Sequence, residues 1–278
     1  MALFLSGAPV SRRIARAARA AVVLLVLAAL GACATGGARK PPTGTPEPDK
    51  FLFERGTEAL TNKRWIVARE YFRQLVDSYP QSEYRADAKL GIGDTFLGEG
   101  SAESNVLAIN EFREFLSFYP TNKRADYAQF KLGMAHYYQM RAPMRDQSET
   151  REAIRELQAF VDKFPTSPLA AEGRTHLREA KDRLASSDLG VGVQYFHLKW
   201  YPGAIGRLDP LVKSDPEFTN RDEAYFYLGE SLVKLNREAE ALPYYERLVK
   251  EFEQSEYLER AQKRIAELKD ALAAKAKG

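Results

Sequence analysis

Cysteine is almost absent from this sequence, because Cys33 is the single thiol among 278 residues. No disulfide can therefore form within the chain, and a metal site built from clustered cysteines is excluded. Histidine is also scarce, and none of His136, His176 and His197 stands in an H-E-x-x-H pattern. These absences predict a protein without a bound metal ion.

Motifs that carry catalysis are missing as well. The two glycines of LGVG, residues 189–192, lack both a third glycine and a preceding strand, so they do not form a dinucleotide-binding loop. Neither a G-x-S-x-G nucleophile elbow nor a phosphate-binding loop occurs. Acidic and basic residues alternate along helical segments, as they do on solvated faces. The sequence therefore predicts a protein that is not an enzyme.

An export signal occupies residues 1–32. Four arginines, without any acidic residue, precede Ala20–Leu30, an apolar run of 11 residues. A membrane-spanning helix needs ~20 residues, so this run is not a permanent anchor. Leu30-Gly31-Ala32-Cys33 resembles the bacterial lipobox, in which the cysteine is acylated and becomes the new N-terminus. The acyl chains on Cys33 are the only attached group that we expect.

The residues around the cysteine also bear on location and charge. Ala34, where an aspartate would retain a lipoprotein in the inner membrane, favours the periplasmic face of the outer membrane. The whole chain carries a formal charge of +3, and loss of the four signal arginines leaves the mature chain at −1. The basic character therefore belongs to targeting, and nucleic-acid binding is not expected.

A tether is expected over residues 33–49. After the cysteine, the stretch ATGGARKPPTGTPEPD contains four prolines and three glycines, with too little apolar bulk to build a core. Fully extended, it would reach about 50 Å. That length would hold a folded domain clear of the lipid head groups.

From Lys50 onward the chain repeats itself. Five alanines are each followed by a large side chain at offset 4 and by apolar residues at offsets 7 and 8, which share one helix face. Proline at offset 12 ends the helix in every unit but the last, which has Glu253 there. The alanines are Ala68, Ala108, Ala153, Ala204 and Ala241, and the glycines of the preceding helices are Gly56, Gly91, Gly133, Gly192 and Gly229.

The spacing identifies the repeat. The glycine precedes the alanine by 12 residues in three units, which is the tetratricopeptide repeat (TPR) spacing, and insertions lengthen it to 17 and 20 in the second and third units. The expected fold is all-α, an α-solenoid of about five irregular TPR helix pairs. We expect a front half with repeats 1–3 over residues 50–168. A back half over residues 169–270 would contain a bridging helix from about Leu169 towards Leu198 and repeats 4–5, followed by a tail over 271–278.

Local signals predict where helices begin and end. Ser82, Asn122 and Ser167 follow the prolines by two residues, and we expect them to cap the next helix. Because Glu253 replaces the last proline, the final helix of the array is free to run on as a cap.

Aromatic side chains concentrate in the helices, where most of them are expected to form the core. First helices line the concave groove of a TPR array, which binds extended peptides. A groove with aromatic and basic residues suits a peptide with an aromatic end and a carboxylate. By register, the residues that face this groove are Phe53, Phe130, Tyr137, Phe196 and Tyr225.

Three stretches go beyond generic TPR features and resemble the BamD family, the TPR lipoproteins of the outer-membrane β-barrel assembly machine. They are RDQSETREAIRELQAFVDKFPTSP at 145–168, KDRLA at 181–185 and YPGAIGRL at 201–208. The resemblance covers nearly all of residues 50–262. It implies a non-catalytic scaffold that docks a POTRA domain of the barrel subunit through its back half. It also implies a front half that receives unfolded outer-membrane proteins, alongside other lipoproteins of the machine.

The resemblance implies particular site residues too. Arg207 matches a family arginine of the docking region, with Glu223, Tyr225 and Lys234 as its neighbours in that region. Arg207 stands where the other repeats have Tyr or Glu, which favours contact with an acidic group of the POTRA domain over packing. For the client-peptide groove, the resemblance implies Tyr137 and Tyr138, which join Phe53 and Phe130 from the register.

Two other classes of protein remain open. A pilotin-like TPR lipoprotein serving a secretin or a pilus would share the signal and the repeats, although its array would be more regular. A TPR adaptor of envelope enzymes, or an envelope hydrolase with TPR units, is the second alternative. A hydrolase would need a further domain, and residues 50–270 leave no stretch to house one.

Overall fold

The computed structural model describes residues 37–275, and over that range the chain forms eleven α-helices and no β-strand. The predicted signal peptide, Cys33 and Ala34 lie outside the described residues. The helices are α1 Pro48–Thr61, α2 Trp65–Ser78, α3 Arg85–Glu99, α4 Ala102–Phe118, α5 Ala125–Tyr137, α6 Ser148–Lys163, α7 Ala170–His197, α8 Tyr201–Ser214, α9 Arg221–Lys234, α10 Glu238–Glu251 and α11 Leu258–Lys275.

This helix order confirms the predicted all-α TPR fold, with five successive pairs and one closing helix. The contacts divide the chain into two compact units, one ending at Gly98 and the other beginning at Glu99. The 28-residue α7 is the predicted long helix. The division into front and back halves at residue 168 stays a prediction. Within residues 37–275, each helix is too short or too polar to cross a bilayer.

The repeat alanines mark the places where helices pack most closely, because all five have 0% of their surface exposed. The residue at offset 4 fills the space left by a first-helix glycine. A methyl group on Gly56 would lie 2.6 Å from Phe72 Cε1, and one on Gly91 would lie 2.5 Å from Phe72 Cε2. The Phe72 ring lies between Gly56 and Gly91 and leaves no room for a larger side chain at either position. The same close approach joins Gly133 to Leu157, Gly192 to Leu208 and Gly229 to Tyr245.

The polar residues after the prolines do not cap the helices as expected. Ser82, Asn122 and Ser167 accept hydrogen bonds from the backbone N–H two residues later, at 3.1, 2.8 and 3.2 Å. They therefore close a short side-chain turn, and the next helix begins three residues after each of them. Ser167 Oγ in addition donates to Asp126 Oδ2 of α5 at 2.7 Å, which joins the loop after α6 to the first helix of the same repeat.

The last repeat ends its second helix without a proline, which corrects the expectation that this helix runs on. Helix α10 stops at Glu251, and a separate helix, α11, closes the array. The Phe252 ring packs against Tyr225, 6.3 Å between centroids, and lies under the Arg221 guanidinium at 5.4 Å. Ser255 Oγ donates to Asp222 Oδ2 at 2.6 Å. Packing of the following loop therefore ends this helix.

Part of the expected tether is docked on the first repeat. Ala38 N donates to Glu70 Oε2 at 2.8 Å, and Arg39 N donates to Tyr71 Oη at 3.0 Å. These bonds fix the chain on α2 only a few residues after Cys33. The segment between Cys33 and the first docked residue is therefore much shorter than the expected tether of 16 residues.

The insertion within the third repeat, between α5 and α6, is an ordered loop. Gln147 is buried, and its Nε2 donates to the carbonyl oxygens of Ala142 and Arg145 at 2.8 and 3.0 Å. On the outside of the loop, Arg183 Nη1 of α7 donates to Arg141 O at 3.1 Å. The insertion is therefore fastened to the long helix and presents a fixed surface.

Candidate partner-binding surfaces

Arg207 lies on α8 with 52% of its side chain exposed, as the docking prediction requires. Its Nη1 is 3.6 Å from Asp188 Oδ1 of α7, and the Asp188 side chain is 44% exposed. An exposed pair of this kind contributes ~0–1 kcal/mol. The guanidinium can therefore exchange Asp188 for a partner carboxylate at little cost, and its planar fork can bind that carboxylate through two hydrogen bonds.

Glu223 and Lys234 lie on α9. Eleven residues make about three turns, so the two side chains share one face about 16 Å apart. Lys234 is exposed at the end of the helix, and Glu223 is half-buried near its start. Burial, followed by the charges of Asp222 and Glu256, raises the pKa of Glu223 and outweighs a hydrogen bond from Tyr257 that lowers it. A cationic partner group next to Glu223 would relieve this destabilisation of the charged form.

Tyr225 does not belong to that surface, which corrects its prediction as a contact residue. Its side chain is 2% exposed and points away from the face of Glu223. The ring lies between Tyr244 and Phe252, with centroids 6.1 and 6.3 Å away. Tyr225 is a core residue of the last repeat because the loop after α10 covers it.

Phe130 is also buried, which corrects its prediction as a groove residue. Its side chain is 3% exposed and packs on Phe160, 5.4 Å between centroids, in a core that includes Leu157 and Leu177. A client peptide cannot reach this ring in the folded chain. The register placed Phe130 on a first helix, but α7 covers the side where the ring lies.

Phe53 and Phe196 are half-buried, so each keeps part of its ring accessible. Phe53 stacks on Tyr84 with centroids 5.1 Å apart and an interplanar angle of 21°. Phe196 packs edge-on against Tyr227 at 5.2 Å and tilts against Tyr201 at 5.7 Å. Both rings are held in place by aromatic neighbours, and their contact with a client stays a prediction.

Tyr137 and Tyr138 lie together at the end of α5, with ring centroids 6.0 Å apart. Tyr137 is half-buried, and its Oη donates to Glu179 Oε2 of α7 at 2.5 Å. Burial, followed by this carboxylate, raises the pKa of Tyr137 to about 12. Tyr138 is 59% exposed. Tyr137 thus fixes the backbone position from which Tyr138 projects into solvent.

A cavity beside Tyr138 was not predicted from the sequence. It has a volume of about 350 Å³, and its lining includes Asn105 of α4, Arg141 of the insertion and Glu149 of α6. Asn105 Oδ1 is buried and accepts no hydrogen bond from any residue within 37–275. A peptide N–H could satisfy this oxygen, and Arg141 could bind a carboxylate. The length of the insertion was the only sequence signal for this cavity.

The histidine and carboxylate side chains near these surfaces are the groups that a metal ion would bind. Among residues 37–275, no three His, Cys, Asp or Glu side chains are grouped so that they could hold a metal ion. His136 Nδ1 lies 2.7 Å from Glu149 Oε2, but the ring is 5% exposed. This pair joins α5 to α6, with the His136 ring buried and the Glu149 side chain 39% exposed.

Comparison with known proteins adds to this picture. A family model described as "YfiO: Outer membrane lipoprotein" matches residues 46–241. Similar proteins from several bacteria are named "Outer membrane protein assembly factor BamD". The one from Caulobacter vibrioides is 29% identical over 220 residues, which cover 78% of this chain and 70% of the relative. The one from Vibrio cholerae is 24% identical over 205 residues, covering 70% and 82%. The one from Rickettsia prowazekii is 23% identical over 222 residues, covering 80% and 86%.

Proposed function

The chain belongs to the YfiO family of outer membrane lipoproteins, and we propose from this membership that it is a scaffold for the assembly of outer-membrane proteins. The match over residues 46–241 carries the proposal, because it spans four helix pairs and most of a fifth. The names of the relatives support it, since they describe outer membrane protein assembly factors.

The proposed scaffold acts by binding alone. It needs no cofactor and is not an enzyme, and the lipid on Cys33 attaches it to the periplasmic face of the outer membrane. A POTRA domain of the barrel subunit docks through Arg207, with Glu223 and Lys234 at the edge of the contact. The exposure of Arg207 and the weakness of its pair with Asp188 support this assignment.

Unfolded outer-membrane proteins bind beside Tyr138 in this scheme. The cavity next to it offers a buried acceptor in Asn105 and a cation in Arg141. An extended segment with an aromatic side chain and a terminal carboxylate could place its ring against Tyr138, its backbone N–H on Asn105 and its carboxylate on Arg141.

The test is a pull-down of the full-length lipoprotein from gently solubilised membranes, read by mass spectrometry. Arg207→Glu should reduce recovery of a β-barrel protein that carries POTRA domains. Lys213→Glu is the matched control, because Lys213 lies on the same helix with 65% of its side chain exposed. Equal recovery with both variants would contradict docking through Arg207. Recovery of a secretin or of cell-wall enzymes would replace the proposed function.

A further inference from the structure

A second charged cavity lies at the N-terminal edge of the first repeat. It has a volume of about 420 Å³, within the ~300–1,000 Å³ range of ligand sites. The docked part of the tether forms one side of it, and α1 and α2 form the other. Its charged lining comprises Arg39, Lys40, Arg55, Glu58 and Arg64.

The charge of this cavity is positive and partly uncompensated. Arg55 Nη1 is 2.7 Å from Glu58 Oε2, so those two charges offset each other. Arg39 and Lys40 are exposed, and neither forms an ion pair with a residue in the range 37–275. Tyr71 Oη, which accepts from Arg39 N, keeps its own proton to donate into the cavity. Two cations and a hydroxyl donor suit a phosphate group.

The position of the cavity in the chain indicates where that phosphate comes from. Gly37 is the first described residue and lines the cavity, four residues after Cys33. Four residues reach at most about 14 Å. An acylated Cys33 would therefore keep the cavity within reach of the head groups of the membrane that holds its acyl chains. This step rests on the lipid anchor of the proposed function.

From these observations we propose that the cavity binds the phosphodiester head group of an anionic lipid in that membrane. The acyl chains hold the chain at the bilayer, and the head group orients the first repeat on it. Phe51, Pro42 and Val67, which also line the cavity, contact the less polar glycerol region of the lipid.

The test uses the mature chain with Cys33→Ser, so that no acyl chain contributes, and vesicles of phosphatidylcholine with or without phosphatidylglycerol. Flotation should show binding only to the vesicles that contain phosphatidylglycerol. Arg39→Ala with Lys40→Ala should reduce the partition coefficient roughly 25-fold, because each cation near an anionic surface contributes ~1 kcal/mol and a tenfold change is 1.4 kcal/mol. Arg39→Lys with Lys40→Arg keeps both charges and should bind like the parent chain.

The matched control is Lys123→Ala with Arg151→Ala, which removes one exposed Lys and one exposed Arg outside the cavity. It should leave the partition coefficient unchanged. An equal loss in the control would show non-specific surface attraction and overturn the site. Displacement by inorganic phosphate at constant ionic strength would show a free-phosphate site and overturn the lipid. The proposed function is tested separately, by the pull-down and by mass spectrometry of the native Cys33.

Discussion

Glu230 is a buried carboxylate that joins the last repeat to the closing helix. Arg264 of α11 donates to both of its oxygens, from Nε at 2.6 Å and from Nη2 at 2.9 Å. Tyr245 Oη of α10 donates to Oε1 at 2.8 Å. Burial would raise the pKa of Glu230, but the hydrogen bonds from Arg264 and Tyr245 outweigh it and lower the pKa. The folded state therefore favours the charged form.

We expect Glu230→Gln to lower the free energy of unfolding by about 2–3 kcal/mol, because Arg264 loses its buried partner. A carboxylate with a depressed folded pKa contributes stability that is present above its unfolded pKa and is lost as the pH falls through the folded value. The variant should therefore lose less stability than the parent chain between about pH 5 and pH 3. Urea unfolding at several pH values measures both effects.

Glu240→Gln provides the control for that series. Glu240 pairs with Arg237 at 2.7 Å, but its side chain is 57% exposed. Loss of such an exposed pair should change stability much less than loss of the Glu230 pair, because water screens the two charges. The interpretation of the Glu230 network would be wrong if the two variants had similar unfolding midpoints.

Packing also determines which residue can stand at position 91, where the chain has glycine. We expect Gly91→Ala to destabilise the chain by about 1–3 kcal/mol, because the new methyl group would meet the fully buried Phe72 ring. Gly206→Ala should be neutral or stabilising by up to about 1 kcal/mol, since beyond its chain neighbours and its own helix backbone no atom of residues 37–275 lies within 4 Å of a methyl group there. Thermal unfolding of both variants checks the contrast, and equal melting temperatures would contradict it.

At the scale of elements, an ion pair joins α7 to Asp215, the residue that directly follows α8. Four repeats have an aromatic residue before offset 12, and the fourth repeat has Asp215 there. Arg178 of α7 donates to Asp215 from Nη1 and Nη2, at 2.9 and 2.6 Å. Asp182, one turn further along α7, accepts from Thr219 N at 3.2 Å. The long helix thereby fixes the loop at the end of α8.

The closing helix α11 is the element whose removal tests the solenoid arrangement. Ala261 and Leu268 of this helix are buried in the core of the last repeat. We expect truncation after Ser255 to expose Phe226 and Tyr245, to leave Glu230 without Arg264, and to cause aggregation. Size-exclusion chromatography and urea unfolding measure this. A monomeric truncated chain with an unchanged midpoint would show that α11 is dispensable.

At the scale of the whole molecule, the proposed attachment to the membrane depends on Cys33, which lies outside the described residues. We expect Cys33→Ala to move the protein from the membrane fraction to the soluble periplasmic fraction. The two or three acyl chains of the proposed anchor would contribute ~0.8 kcal/mol per buried methylene, which the cationic cavity would not replace. Fractionation followed by immunoblotting measures the distribution.

Ala34→Asp is the companion variant, because it keeps Cys33 and changes only the expected sorting signal. It should remain membrane-bound and appear with the inner membrane after density-gradient separation. Continued membrane association of Cys33→Ala would contradict the lipid anchor.

The sequence by itself determined the features that depend on neighbouring residues and on repetition. The segment that ends at Cys33 predicts a lipobox from contiguous residues, and the alanine register recurs five times because each helix pair meets the same packing requirement. The same periodicity correctly predicted the buried alanines and the long helix α7. Membership of the family was predicted from three segments, at 145–168, 181–185 and 201–208, that a generic TPR does not contain.

The tertiary structure alone decided the features that depend on residues distant in the chain. Phe130 and Tyr225 have the register of groove residues, but α7 and the loop after α10 bury them. The docking of residues 37–39 on α2 and the pairing of Glu230 with Arg264 join positions more than thirty residues apart. A helical period states which face a side chain occupies, but only the packed neighbours determine whether that face is covered.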